Sequence, residues 1–170
     1  DTSLISQTVI DGGGIHGVIE IENGENSSCQ IYGLTIQNGS FNGMSLSPSG
    51  GGISIINSSP TISYCKIKNN YALYSGGGVY AEWSNSTFNN CNFTNNTANN
   101  DGGGIISVLS NISLNSCFFE GNSSNTGGGG ADFQSSKINM INCIANNNFT
   151  YDNGGGVKLS SCDTVNFLNN

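Results

Sequence analysis

Arginine is absent from the 170 residues, histidine and tryptophan occur once each, and charged residues make up only 9% of the chain. With four lysines against eleven carboxylates the net charge is −7. Such a chain has no basic surface with which to neutralise a phosphate backbone, so neither nucleic acid nor an anionic membrane surface is an expected partner. No apolar run approaches the roughly 20 residues needed to span a bilayer, and no membrane insertion is expected. The first ten residues, Asp1 to Ile10, lack the basic and apolar regions of a signal peptide, so the segment reads as processed or as cut from a longer chain. No stretch of useful length has helical periodicity. Apolar residues amount to 35%, and Gly, Asn and Ser fill the deficit. That composition would describe a flexible linker if the apolar residues did not recur at fixed spacing.

They do recur. Triple glycine begins at Gly12, Gly50, Gly76, Gly102, Gly128 and Gly154, the last five at a step of 26 residues. Cys65, Cys91, Cys117 and Cys143 keep the same step, as do Asn70, Asn96, Asn122 and Asn148. After the glycines stand Ile53, Val79, Ile105, Ala131 and Val157, then, two residues on, Ile55, Ala81, Ser107, Phe133 and Leu159. This period-two alternation specifies a strand with one buried face. A second column, Ile62, Phe88, Leu114 and Met140, precedes the cysteines, and a third, Ile67, Phe93, Phe119 and Ala145, follows them. Each unit therefore holds about three short strands joined by Gly, Asn and Ser corners. A unit of short strands without a helix cannot bury its apolar face alone and must coil so that each turn stacks on the last. The expected fold is an all-β, right-handed parallel β-helix of about six rungs, forming a single domain over residues 1–170. At about 4.8 Å per rung the rod is roughly 30 Å long.

The unit from Gly12 to Ser49 exceeds the period by twelve residues (38 against 26). Aligning Leu34, Ile36 and Asn38 with Cys65, Ile67 and Asn69 places insertions near residues 22–28 and 41–49, both polar or Pro-containing, as protruding loops should be. The last unit carries one extra residue near Cys162, with Phe167 in the place of Met140.

The segments Thr8–Gly14, Gly33–Gly39 and Asn57–Ser63, followed by Asn69-Asn70, Ala72 and Gly76–Gly78, resemble the repeats of the right-handed parallel β-helix superfamily. More narrowly, they are similar to large secreted and surface proteins with polymorphic-outer-membrane-protein-like repeats, including adhesin-like proteins. The Phe-x-x-Asn element of those repeats has matches at Phe93–Asn96 and Phe119–Asn122. The resemblance implies the fold. It does not imply one function, because a fold hosts many activities.

The asparagine column reads as an internal ladder, its amides bonding from rung to rung and to backbone groups left unpaired at a bend. Among the sequons, Asn26, Asn57, Asn85, Asn92 and Asn111 are glycosylation candidates, whereas Asn122 and Asn148 fall in the ladder and should be inaccessible. The cysteine column reads as reduced and buried, because stacked Cβ atoms about 4.8 Å apart exceed the usual disulfide separation near 3.8 Å. Cys29 and Cys162 are out of phase with that column and read as exposed. No metal site is expected, since neither CxxC nor a Cys/His pairing accompanies the column. The glycine triplets lack the Lys-Ser/Thr of a phosphate loop and read as corners that require positive φ or close backbone approach. His16 has no neighbouring pattern and reads as a surface or corner residue.

The superfamily also contains pectate lyases and polygalacturonases, which that resemblance obliges one to consider. Their clustered carboxylates, basic proton acceptor or His-Gly element have no counterpart here. Asp101, Glu120, Asp132, Asp152 and Asp163 fall mostly in different columns, with Asp132 beside Lys158 and Lys137 beside Asp163 as surface pairs. No catalytic residue and no cofactor are therefore assigned. Tyr71, Tyr74, Tyr80 and Trp83 lie around one junction between rungs, where stacked rings could form a platform for a sugar or a partner protein. Two readings follow. In the first, the chain is a non-enzymatic extracellular or cell-surface structural or adhesive protein, a rod, stalk or fibre subunit that continues as a longer solenoid or stacks end to end, with a glycan or host surface as possible ligand. In the second, it is a carbohydrate-binding or polysaccharide-degrading β-helix.

Overall fold

The computed structural model describes residues 7–41 and 50–170. Among these there is no helix; the chain winds as a parallel β-solenoid of about six coils with four strand faces. Face one stacks Ile19–Glu22, Ile53–Ile56, Val79–Glu82, Ile105–Val108, Ala131–Gln134 and Val157–Ser160. Face two stacks Gln30–Tyr32, Thr61–Ser63, Thr87–Asn89, Asn111–Asn115, Lys137–Ile141 and Thr164–Leu168. Face three stacks Val9–Asp11, Thr35–Gln37, Lys66–Lys68, Asn92–Thr94, Phe118–Glu120 and Ile144–Asn146. A fourth face, not expected from the alternation, stacks the two-residue strands Ser40–Phe41, Tyr71–Ala72, Thr97–Ala98, Ser123–Ser124 and Phe149–Thr150. Two residues are too few to register as a period, so only rung-to-rung pairing reveals this face.

The register runs at 26 residues from Ile53 onward, as in Val79↔Ile105 and Phe93↔Phe119. In the first unit Ile36 pairs with Ile67, as aligned from the sequence. The step of 34 at Ile19↔Ile53 falls to 31 at Gln30↔Thr61, which places a three-residue insertion between Glu22 and Gln30. The second expected insertion, 41–49, lies outside the described residues beyond Phe41. The triplet at Gly12 does not begin a rung in the glycine column. Because Ile19 pairs with Ile53, it is His16, Gly17 and Val18 that stack on Gly50–Gly52, and Gly12–Gly14 follow face three one corner earlier. In the last coil Met140 pairs with Phe167, one residue out of the 26-residue step.

The interior is a set of continuous columns. Phe88, Phe93, Phe119 and Phe133 are fully buried, with Phe93 and Phe119 stacked at 4.5 Å and 7°, near the strand spacing itself. Each such ring contributes about 1.5–3 kcal/mol of burial. Tight coiling is set at the glycine loops. Gly102 has φ +65, and a Cβ on Gly103 would stand 2.4 Å from the carbonyl of Ser123 and 2.5 Å from that of Gly129 on the next coil. Any side chain there would force neighbouring coils apart.

These loops also fold back over the outer side of face one. A Cβ on Gly102 would stand 2.6 Å from Ile106 Cβ, and Gly128 N donates to Asp132 Oδ2 at 2.8 Å. Alternate positions that should face solvent are therefore covered: Tyr80, Ile106 and Asp132 are all buried.

Candidate functional site

The polar residues of the interior converge on three corners built on one plan. At each corner a single residue takes left-handed backbone geometry, for example Asn95 (φ 54), Asn90 (φ 52) or Leu109 (φ 50), and the next residue points its side chain inward. In the asparagine column Asn96 Oδ1 accepts from Asn70 N at 3.1 Å and from Asn70 Nδ2 at 3.0 Å, while Asn96 Nδ2 donates to Ile67 O at 2.9 Å and to Asn122 Oδ1 at 3.0 Å. Asn122 repeats the pattern, Asn148 does so up to its donation to Phe119 O, and Asn70 Oδ1 accepts from Gly39 N at 2.9 Å. Asn70, Asn96 and Asn122 are buried, and every polar atom of these amides is engaged.

The cysteines solve the same problem with sulfur. Cys117 N donates to Cys143 Sγ at 3.4 Å, Cys117 Sγ lies 3.5 Å from Phe88 O, and Cys143 Sγ lies 3.3 Å from Leu114 O. All six cysteines are free thiols, with Cys65, Cys91, Cys117 and Cys143 buried. The neighbouring Cys117 thiol and burial push the Cys91 and Cys143 thiols up, so both are neutral at physiological pH.

The third corner carries a column that the sequence reading missed: Ser58, Ser84, Ser110 and Ser136, at the same 26-residue step. Ser84 N donates to Ser110 Oγ at 3.0 Å, Ser110 N to Ser136 Oγ at 3.1 Å, and Ser136 Oγ to Gln134 O at 2.8 Å. Cys162 completes it, its Sγ 3.2 Å from Phe133 O, half-buried and packed against the core. It is out of phase with the other cysteines because it belongs to the serine corner. Cys29 is likewise half-buried against the core rather than exposed. The signal for this corner was present in the spacing, hidden by the abundance of serine elsewhere.

The expected surface pairs differ. Asp132 does stack beside Lys158, but it is fully buried; Oδ2 accepts from Gly128 N, and Oδ1 is the one buried side-chain oxygen without a partner among the described residues. Burial holds its carboxyl above the usual range, against the Gly128 hydrogen bond, with the charge of Asp101 adding to the rise. Lys158 instead reaches Asp152 at 3.6 Å and donates to Thr126 O at 2.8 Å. Lys137 pairs with Thr164 and not with Asp163, because the extra residue of the last coil shifts the register by one. Among the described residues no three His, Cys, Asp or Glu side chains converge as a metal site would require. His16 is exposed, its carbonyl accepting from Ser40 N at 2.9 Å.

The proposed aromatic platform does not assemble. Tyr80 is buried beneath the glycine loop, where burial and then the charge of Glu82 push its phenol up. Trp83, 57% exposed, sits at the serine corner with φ 49; Tyr71 lies on face four and Tyr74 in the loop after it. Among the described residues none of the four rings pairs with another. Two other aromatic pairs form at the surface: Phe149 with Tyr151 at face four, both exposed, with ring centroids 4.9 Å apart and nearly perpendicular, and Tyr32 with half-buried Tyr64 at the end of face two, with centroids 5.1 Å apart and planes tilted by 52°. Of the sequon asparagines, Asn26, Asn57, Asn85 and Asn111 are exposed and Asn92 is half-buried. Asn111 Nδ2 donates to Asn85 Oδ1, one rung of an outer amide ladder that includes Asn115 to Asn89 at 2.9 Å.

No curated protein and no solved structure matches the chain. The family described as "right handed beta helix region" matches residues 51–170, the part of the chain in which the 26-residue register is unbroken from coil to coil until the final shift. By that match over more than two thirds of its length, and by its parallel four-faced coil, the chain belongs to the right-handed β-helix family.

Proposed function

We propose that the chain is a non-catalytic structural or adhesive module of an extracellular or cell-surface protein, working through its length and its outer faces. The observation that carries this reading is the use made of the polar side chains. Inside, Asn, Ser and Cys are consumed in stacking coils; outside, amides pair along the rod, as in Asn115 to Asn89 and Asn166 to Asn139. Such a regular array supports a long binding surface better than a concave reaction centre. The coil from Val157 onward offers Leu159 and Phe167, 42% and 45% exposed, at interior-column positions. In this reading another β-coil stacks there.

The test is twofold. Incubation with neutral and acidic polysaccharides should release no oligosaccharide or unsaturated product; product formation that scales with protein concentration would overturn the non-catalytic reading. Sedimentation velocity and electron microscopy should show end-to-end assembly as concentration rises, and a strictly monomeric particle throughout would remove the stacking component.

A further inference from the structure

We propose that the groove beside Tyr32 and Tyr64 on face two is a binding site for a neutral, β-linked oligosaccharide chain; this rests on the adhesive reading above and gives it a ligand class. The site exists because of a local accident of the repeat. The residue before the inward corner side chain is Tyr64 in one coil and Gly33 in the coil stacked on it. Gly33 has φ +69 and no side chain to lie over the Tyr64 ring, while Tyr32, next to it, is 67% exposed. Two rings thus meet at the outer edge of the sheet with their planes inclined to one another, Tyr32 exposed and Tyr64 half-buried.

The groove they border has a volume of about 390 Å³ and is lined also by Gln30, Thr61, Ser63, Asn89 and Asn90. None of these is charged. Farther along the face the outer amides are committed to one another, whereas no hydrogen bond to another described residue engages the side chains of Gln30, Thr61 or Asn90. Uncommitted amides and a hydroxyl beside aromatic faces suit a ligand with many hydroxyls and flat C–H surfaces: ring C–H groups pack on the negative face of a phenol ring, and hydroxyls take the amides. A chain with net charge −7 and an uncharged groove disfavours an anionic ligand. An extended β-linked chain matches the straight outer face, along which equivalent side chains repeat at about 4.8 Å.

The experiment is titration of the full chain with cellohexaose and chitohexaose, with polygalacturonate as the anionic comparison, followed by amide chemical shifts. Shifts should map to residues 30–32, 61–64 and 89–90. Tyr32→Ala and Tyr64→Asn, the latter suited to left-handed backbone geometry, should each weaken binding about three- to tenfold. Trp83→Ala should leave it unchanged. Absence of binding by both neutral hexasaccharides, tighter binding of polygalacturonate, or binding insensitive to Tyr32→Ala in a variant with an unchanged melting curve would each overturn the proposal. The two readings fail separately. Lost binding removes the groove and leaves the rod, while hydrolysis of cellohexaose at this groove removes the non-catalytic reading and leaves the site.

Discussion

Replacing Asn96 by Ala is the sharpest perturbation of the interior. Its amide accepts from both nitrogens of Asn70 and donates to Ile67 O and Asn122 Oδ1, all within 2.9–3.1 Å and all beyond the reach of solvent. Asn70 Nδ2 retains Ile36 O, Asn122 Oδ1 retains the backbone N–H of residue 96, and Ile67 O keeps its partner in the parallel ladder with Asn92–Thr94, so the buried Asn70 N–H is stranded and Ile67 O loses its second bond. At about 1–3 kcal/mol for the stranded N–H and about 0.5–1.5 kcal/mol for the bond lost by Ile67 O, the expected loss is about 1.5–4.5 kcal/mol, a large part of a typical domain's 5–15 kcal/mol. With a urea dependence of about 2 kcal/mol per molar, the unfolding midpoint should fall by about 1–2 M. Asn148→Ala is the internal comparison. Asn148 accepts from both nitrogens of Asn122 and donates to Phe119 O, has no further amide to bond among the described residues, and is only half-buried, so water can replace these bonds and the loss should stay near about 1 kcal/mol. Urea denaturation followed by circular dichroism measures both. Equal losses at the two positions, or a loss below about 1 kcal/mol for Asn96→Ala, would refute the argument that burial of the ladder gives it its strength.

Asp132 has a raised carboxyl pKa in the folded chain. Its neutral form is therefore favoured by folding: the associated stability is present below the unfolded carboxylate value, about 3.9, and is lost as pH rises through the higher folded value. Asp132→Asn keeps an acceptor for Gly128 N and removes the buried charge. It should melt at a higher temperature than the parent at pH 7 and show a flatter dependence of Tm on pH above about 4, and a lower Tm at pH 7 would count against this account. The thiols divide by burial, so a thiol-reactive dye should label Cys29 and Cys162 ahead of the rest in the native state and all six after denaturation. Rapid native labelling at Cys91 or Cys117 would contradict a closed cysteine column.

The repeat made most of the coil legible in advance. A 26-residue step locks Gly, Cys, Asn and the apolar columns together, and stacking of identical units then dictates which residues lie above one another, so the asparagine and cysteine columns could be named from spacing alone. The serine corner was equally periodic but lost against a background rich in serine, and Cys162 looked anomalous for the same reason. The two-residue fourth face left no pattern to read.

Periodicity determines which residues stack, and the amino-acid sequence settled that by itself. Which side of the wall is wet was decided by tertiary structure, because it depends on where the loops go. Alternation assigned Tyr80 and Asp132 to solvent, yet glycine loops folding back over face one bury both. Likewise Tyr32 meets Tyr64, 32 residues away, because the coil between them closes and stacks Gly33 on the coil that carries Tyr64.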